Sequence, residues 1–203
     1  TTWSHVIDSL PMDKLPRTIN TGRLTLRPFK LADVEARLAY CSDEVWARYF
    51  PIPQPYTRCD AEKFIAQRQI DVWGQDPSWW AADLDSSIIG HVGLWPDLLN
   101  RQAELGYAIA RDRWGSGFAT EAASAVIDAV LSLTDLDRVF ARADVRNSAS
   151  RRVLERLGMS PAGEVSGQRI VRGHRIDEFF YAVTRHEWAA IARSRDSTAS
   201  PRT

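Results

Sequence analysis

The sequence predicts one α+β domain with a mixed, mostly antiparallel central sheet flanked by helices. Two pairs of segments, 79–84 with 88–94 and 165–171 with 177–183, have strand-like composition and are joined by short turns, which predicts two hairpins. A third segment, 105–131, passes from a strand through a glycine loop into a helix. With 203 residues and 44% hydrophobic content, the chain is long enough for one domain with a full core.

The first half of the chain predicts an opening strand and two helices ahead of the first hairpin. Residues 1–20 contain two prolines and are interpreted as an arm that lies on the domain or on a neighbouring subunit. The alternating segment 23–27 predicts the first strand, which ends at Pro28. Three features follow in order: a helix over 31–40, a proline-rich break at 51–55 and a helix over 60–72.

The second half predicts further strands and helices after the first hairpin. A short helix is expected to begin at Asn147, a favourable N-cap residue, and to stop at Gly158. Residues 193–203 are polar, and we expect them to form a frayed tail. The remaining elements are expected at 102–110 (strand), 118–131 (helix), 138–145 (strand) and 187–192 (helix).

The glycine loop Trp114-Gly-Ser-Gly117 lies between a strand and a helix. Its glycines permit a tight turn and a close approach of backbone N–H groups to a ligand, and the following helix places its positive end at the same point. These features predict an anion site, most naturally for a phosphate or pyrophosphate. On local grounds a plain strand–turn–helix connection is an equal alternative, since Thr120 stands where a dinucleotide fingerprint has its third glycine.

Composition excludes several classes of protein. The chain has 26 basic and 26 acidic residues, which argues against a nucleic-acid or membrane binder, although a local charged patch is compatible with this balance. Cys41 and Cys59 lack the spacing of metal ligands, so no metal is expected, and two thiols suit a reduced cytoplasm. No signal peptide or long apolar run is apparent.

Several motifs in order resemble the GNAT superfamily of acetyl-CoA-dependent N-acetyltransferases. The resemblance is closest to the RimJ/RimL-like branch, which acetylates the N-termini of ribosomal proteins, and it runs from about residue 21 to residue 188. It implies an arm over 1–20, a GNAT domain over 21–192 and a tail over 193–203. The matching segments are Thr21–Phe29, Ile89–Gly93, Glu104–Tyr107, Trp114–Ala122, Asn147-x-x-Ser150 and Leu157–Met159.

The resemblance implies acetyl transfer from acetyl-CoA to a primary amine by direct attack. Ser150 is expected to protonate the departing thiolate, and Asn147 to order its loop and contact the CoA arm. The residues expected to bind the CoA pyrophosphate through their backbone N–H groups are Trp114, Gly115, Ser116, Gly117, Phe118 and Ala119. The pantetheine arm is expected along Tyr107, Ala108, Ile109 and Ala110, where a backbone N–H would polarise the thioester carbonyl. Arg111, Arg113 and Arg151 remain open candidates for the CoA phosphates.

Glu104 is the first candidate for the base that takes the amine proton, because it lies on the strand before the loop. A surface salt bridge is the alternative for this residue. His91 is the second candidate, with a hydrogen-bonded structural role as its alternative. Glu121 is expected to be a helix-dipole or packing partner rather than a catalyst.

The expected acceptor is a protein N-terminal α-amine. A small-molecule amine (aminoglycoside, polyamine or amino-acid derivative) is the close alternative, and a non-catalytic acyl-CoA-binding domain and a nucleotide-binding Rossmann module are the others. Four aromatic residues are candidates for the acceptor pocket, although core packing is the favoured interpretation for each: Tyr49, Phe50, Tyr56 and Trp73. Because many relatives pair, a homodimer is one expected assembly.

Overall fold

An eight-stranded sheet organises the computed structural model, which describes residues 12, 14–74 and 77–199. The strands are β1 (Ile19–Asn20), β2 (Thr25–Arg27), β3 (Ser78–Leu84), β4 (Ser87–Asp97), β5 (Gln102–Ile109), β6 (Arg138–Asp144), β7 (Ser160–Val171) and β8 (His174–Thr184). The helices are α1 (Val34–Cys41), α2 (Arg58–Ile70), α3 (Phe118–Leu133), α4 (Ser148–Arg156) and α5 (Arg185–Ala199), with 3₁₀ turns at Leu31–Asp33, Trp46–Tyr49 and Arg111–Arg113.

The sheet is mostly antiparallel, which confirms the predicted fold class. Its strand order is β1-β2-β3-β4-β5-β6-β8-β7, and within the described residues only β5 and β6 pair in parallel. A Rossmann module requires a parallel sheet, so that alternative is wrong. None of the described helices is both long and apolar enough to cross a bilayer.

The two parallel strands separate soon after they meet. Strand β5 pairs with β4 over its whole length, from Gln102 opposite Asp97 to Ile109 opposite Gly90. Its pairing with β6 covers only 102–104 opposite 138–140, although both strands continue. A wedge-shaped gap therefore opens in the middle of the sheet, and we call it the β5–β6 gap.

Helices cover both faces of the sheet and bury two separate apolar clusters. The larger cluster includes α3, α4 and α5 and takes Leu105 and Ile109 from β5. The smaller cluster includes α1 and α2 and takes Ala108 from the same strand. Because successive strand residues point to opposite faces, the odd-numbered residues of β5 face α3 and α4, and the even-numbered ones face α1 and α2.

Tertiary contacts explain the elements that differ from prediction. Helix α5 runs to Ala199 and so extends past residue 193, where a frayed tail was expected. Its Arg195 packs over the Trp188 ring and donates to Ser124 on α3. These contacts stabilise the polar end of the helix, and they could not be predicted because Ser124 is distant in sequence. Strand β7 begins five residues earlier than predicted, at Ser160, and pairs with β8.

The described part of the predicted arm packs on the domain. Met12 and Leu15 are buried in the larger cluster. The indole N–H groups of Trp73 and Trp80 donate to the carbonyls of Leu15 (3.0 Å) and Pro16 (3.1 Å). Residues 19–20 add the unpredicted strand β1. Residues 1–11 and 13 of the arm and residues 200–203 of the tail lie outside the described residues.

A buried cluster of charged side chains joins β2 and β3 to the start of α1. Removing one of its carboxylates tests how much the cluster stabilises the fold. Arg27 donates to both oxygens of Asp33 at 2.8 and 2.9 Å, and its Nε donates to Asp83 at 2.7 Å. Replacing Asp33 by Ala leaves a buried guanidinium half-compensated, and we expect urea denaturation to show a loss of about 3 kcal/mol. The matched control is Glu35→Ala, whose pair with Arg58 is exposed and should change stability little. Equal small losses in both variants would contradict this account.

Candidate active site

The glycine loop forms an open turn between the end of β5 and the start of α3. Gly115 and Gly117 have φ values of +76° and +82°, a left-handed conformation in which a glycine is strongly favoured. Gly117 is the N-cap of α3 and supplies no side-chain cap, and residues 114–117 are exposed. The first N–H groups of α3 therefore face an open turn, the arrangement that attracts an anion.

A brace from the N-terminal segment holds this loop. The Arg23 guanidinium donates to the Ser116 carbonyl at 2.9 Å and to the Glu121 carboxylate at 2.7 Å, and it lies over the Phe118 ring. Thr21 donates to the other Glu121 oxygen at 2.6 Å. We call this set of contacts the Arg23–Glu121 brace, and it confirms the prediction that Glu121 is a packing partner rather than a catalyst.

Two tryptophans meet at the last carbonyl of β5. The indole N–H groups of Trp46 and Trp114 donate to the Ile109 oxygen at 2.9 and 2.7 Å. These bonds fix both the glycine loop and the 3₁₀ turn 46–49 to the end of the strand. The Trp114 indole N–H thus bonds within the protein, although the side chain is half exposed, and the backbone of the loop stays available to a ligand.

The register of β5 decides which backbone groups face the β5–β6 gap. The Ala110 N–H donates to the Ile89 carbonyl at 2.7 Å. Because antiparallel residues alternate between hydrogen-bonded and non-hydrogen-bonded pairs, Ala108 also turns its backbone toward β4, whereas Tyr107 and Ile109 turn theirs toward β6. Of the four residues along which the pantetheine arm is expected, Tyr107 and Ile109 thus turn their backbone toward the gap, and Ala108 and Ala110 turn theirs toward β4.

A pair of hydroxyls lies where β5 faces α4. The Tyr107 hydroxyl is 3.0 Å from both the Oγ and the carbonyl oxygen of Ser150. Asn147 accepts a hydrogen bond from the Ser150 N–H at 3.0 Å, so it is the N-cap of α4 as predicted. Burial raises the pKa of Tyr107 above its ordinary value, so this hydroxyl keeps its proton at neutral pH. The Tyr107 hydroxyl was missed from sequence because its partner is 43 residues away.

Glu104 lies on the opposite face of the sheet and is held by an arginine. The Arg142 guanidinium donates to both Glu104 oxygens, one of them at 3.0 Å, and packs over the Phe180 ring. The salt-bridge alternative thus describes its contacts. Two neighbouring carboxylates are held in the same way: Asp144 by Arg146 and Glu178 by Arg169.

His91 lies inside the smaller apolar cluster. It is 7% exposed, its Nδ1 is 3.4 Å from the Tyr40 hydroxyl, and its ring centroid is 5.4 Å from that of Trp79. Burial, reinforced by the charges of Arg37 and Arg68, lowers the pKa of His91 well below its ordinary value. These contacts match the structural alternative for His91.

The four predicted pocket aromatics separate into three packing residues and one residue beside the gap. Trp73 contacts the N-terminal segment, Tyr56 accepts from the buried Arg37, and Phe50 stacks on Trp46. Tyr49 donates to the Arg146 carbonyl at 3.3 Å, next to the end of β6.

The three candidate arginines also differ in their surroundings. Arg111 and Arg113 are exposed in the 3₁₀ turn that precedes the glycine loop, beside the carboxylates of Asp43 and Asp112 respectively. Arg151, on α4, donates to the Tyr181 hydroxyl at 3.3 Å. Arg111 and Arg113 are thus the two that flank the loop.

Comparison with known proteins shows which family has this sequence pattern and this architecture. The sequence profile described as acetyltransferase (GNAT) domain matches residues 23–160. An uncharacterized N-acetyltransferase, p20, from Bacillus licheniformis is 29% identical over 176 residues, covering 85% of this chain and 98% of that relative. A GNAT acetyltransferase structure from Bacillus anthracis aligns with a TM-score of 0.74 and 26% identity over 84% of this chain and 99% of its own. RimJ from Mycobacterium smegmatis, solved with CoA-disulfide, aligns with a TM-score of 0.74 and 21% identity over 88% of this chain and 96% of its own.

We expect the Arg23–Glu121 brace to stabilise the fold to a degree that depends on pH. Burial by itself would raise the pKa of Glu121, but the hydrogen bonds from Thr21 and Arg23 outweigh it and lower the pKa. A carboxylate with a lowered folded-state pKa stabilises the fold above its unfolded-state pKa and loses this contribution as pH falls through the folded-state value. We therefore expect Glu121→Gln to lower the free energy of unfolding by about 1 kcal/mol at pH 7, after allowing for solvent screening, with a smaller difference below about pH 4.5.

Chemical denaturation at both pH values measures this difference. Replacing the exposed Glu44 by Gln is the control, and it should leave stability nearly unchanged at either pH. A Glu121→Gln deficit that stayed constant as the pH fell would rule out the brace as its cause.

Proposed function

This chain belongs to the acetyltransferase (GNAT) family, and on that premise we propose that it acetylates the α-amine at the N-terminus of a polypeptide. Membership makes the protein an acyltransferase with acetyl-CoA as its acetyl donor. The observation that carries the proposal is the β5–β6 gap, which has the glycine loop at one end and the Tyr107–Ser150 hydroxyl pair along one side. The RimJ/RimL-like motifs support a protein N-terminus as the acceptor.

The gap and the loop fit the two ends of acetyl-CoA. The uncapped start of α3 and the left-handed glycines offer N–H groups to the pyrophosphate, through residues 114–119. Beyond Glu104, the backbone of Tyr107 and Ile109 points into the gap without a partner strand, so the amides of the pantetheine arm can pair there as an added strand.

The chemistry is a direct displacement at the thioester carbonyl. The amine nitrogen first forms a bond to the carbonyl carbon, and a backbone N–H facing the gap stabilises the resulting oxyanion. The carbon–sulfur bond then breaks. The departing thiolate receives a hydrogen bond and then a proton from the Ser150 hydroxyl, which the Tyr107 hydroxyl orients at 3.0 Å. The nitrogen carries one surplus proton after its attack, and this proton returns to the Ser150 oxygen through water. Asn147 acts by fixing the start of α4, where Ser150 lies.

Glu104 is the base in this proposal, and Arg142 holds its carboxylate in position. The amine must lose a proton before it attacks, and Glu104 lies on the face of the sheet opposite the hydroxyl pair, across the gap from the leaving group. The Arg142 guanidinium orients the Glu104 carboxylate, which accepts the proton directly or through water on a lone pair that the guanidinium leaves free. His91 is a weaker candidate, because it is buried among aromatic rings.

Calorimetric titration with acetyl-CoA, with NAD as the comparison ligand, tests the cofactor site. Wild-type protein should bind acetyl-CoA alone, and Gly117→Trp should weaken binding at least about tenfold, because a side chain at φ +82° distorts the N–H groups of the loop. Gly163→Trp is the control, since Gly163 also has a positive φ, has open space around it and lies on β7. Undiminished binding in a folded Gly117→Trp variant would refute the pyrophosphate site.

Kinetics of Glu104→Gln test the base. We expect kcat to fall by about 10²-fold, with loss of the acidic limb of the pH–rate profile, because the variant has no carboxylate to accept the proton. Asp137→Asn is the control, since it weakens an exposed salt bridge to Arg101 near the start of the same two strands. An unchanged rate across pH in Glu104→Gln would exclude Glu104 as the base and leave it a structural salt bridge.

A further inference from the structure

A basic cleft of about 500 Å³ lies beside the loop that follows β6. It is lined by Arg48, Tyr49, Arg146, Val171, Arg172 and His174. These residues come from three separate parts of the chain: the 3₁₀ turn 46–49, the loop between β6 and α4, and the turn between β7 and β8. The fold thus gathers three arginines and a histidine around one opening, with no carboxylate among the lining residues.

The positive charge of the basic cleft is largely uncompensated. Arg146 is paired with the buried Asp144 at 2.6 Å. Arg48 and Arg172 are exposed, and neither forms a salt bridge to any residue in the described ranges. Since the whole chain has a formal charge of zero, this is a local concentration of positive charge, which attracts anions.

The cleft adjoins the reaction site through the 3₁₀ turn 46–49. At one end of this turn Trp46 donates to the carbonyl of Ile109 on β5, and at the other Tyr49 donates to the carbonyl of Arg146 after β6. The turn therefore connects β5 and β6 near the ends at which the two strands have separated. Any acceptor that enters the gap beside this turn passes the basic cleft.

The basic cleft is set apart from the hydroxyl pair by the 3₁₀ turn. Tyr107 lies two residues before Ile109 on β5, whose carbonyl accepts from Trp46, and Tyr49 at the other end of the turn lines the cleft. A ligand that contacts both the hydroxyl pair and the cleft therefore extends past this turn, as a peptide chain does and a compact amine does not.

We infer that the acceptor is a polypeptide N-terminus with acidic side chains among the residues that follow its first, and that Arg48 and Arg172 bind them. This inference rests on the proposed function and adds the charge of the substrate. Guanidinium groups favour carboxylates because they offer paired donors in one plane. The two arginines are specificity residues here, and they take no part in the acetyl transfer.

Two peptides with the same first residue test the inference: Ser-Glu-Asp-Glu-Ala-Gly-Trp and its uncharged counterpart Ser-Gln-Asn-Gln-Ala-Gly-Trp. Wild-type enzyme should use the acidic peptide with a kcat/KM at least about tenfold higher, expressed in KM and diminished by added salt. The double variant R48Q/R172Q should bring the two values together without changing the KM for acetyl-CoA. Arg193→Gln, an exposed change on α5, should leave the preference intact.

The outcomes separate the inference from the function on which it rests. Equal use of both peptides by wild-type enzyme would overturn the acidic preference and leave N-terminal acetylation standing. A loss of acetyl-CoA affinity in R48Q/R172Q would also overturn it, because the cleft would then belong to the cofactor. If neither peptide is acetylated, calorimetry with the N-acetylated acidic peptide still reports on the cleft: binding that depends on Arg48 and Arg172 supports it as an acidic-peptide site, and no binding refutes it.

Discussion

The site depends on the early separation of two parallel strands. Strands β5 and β6 pair over three residues each and then diverge, although each continues for several residues more. Backbone N–H and C=O groups inside a sheet are normally paired, because an unpaired buried group costs as much as a lost hydrogen bond. The divergence leaves the backbone of Tyr107 and the N–H of Ile109 facing an opening, whereas the Ile109 carbonyl accepts from Trp46 and Trp114. The middle of the sheet can therefore receive an extended, amide-bearing ligand.

The same gap divides the chemical work between the two faces of the sheet. The Tyr107–Ser150 hydroxyl pair lies on the face covered by α3 and α4, near the loop that suits the pyrophosphate. Glu104 and its arginine lie on the other face, beside aromatic residues of β6 and β8. In the mechanism we propose, a donor held from one side and an acceptor entering from the other meet within the gap. The proton needed by the thiolate and the proton lost by the amine are then transferred on different faces of the sheet.

Prediction from sequence succeeded where short-range geometry is decisive. The glycine loop and the N-cap at Asn147 follow from residue types and spacings within one or two turns of chain. Prediction failed where the role of a residue depends on a partner that is distant in sequence. The Tyr107 hydroxyl, the pair between Glu104 and Arg142, and the extension of α5 past residue 193 each depend on a residue more than 35 positions away.

The sequence by itself determined the α+β class, the positions of most strands and helices, and the loop that precedes α3, because alternation, helical composition and glycine placement act locally. Tertiary structure alone decided which face each β5 side chain occupies, that Ala108 turns its backbone away from the gap, and that Arg48, Arg146 and Arg172 meet around one cleft. The physical reason is that strand register and the meeting of remote loops are set by packing across the whole sheet.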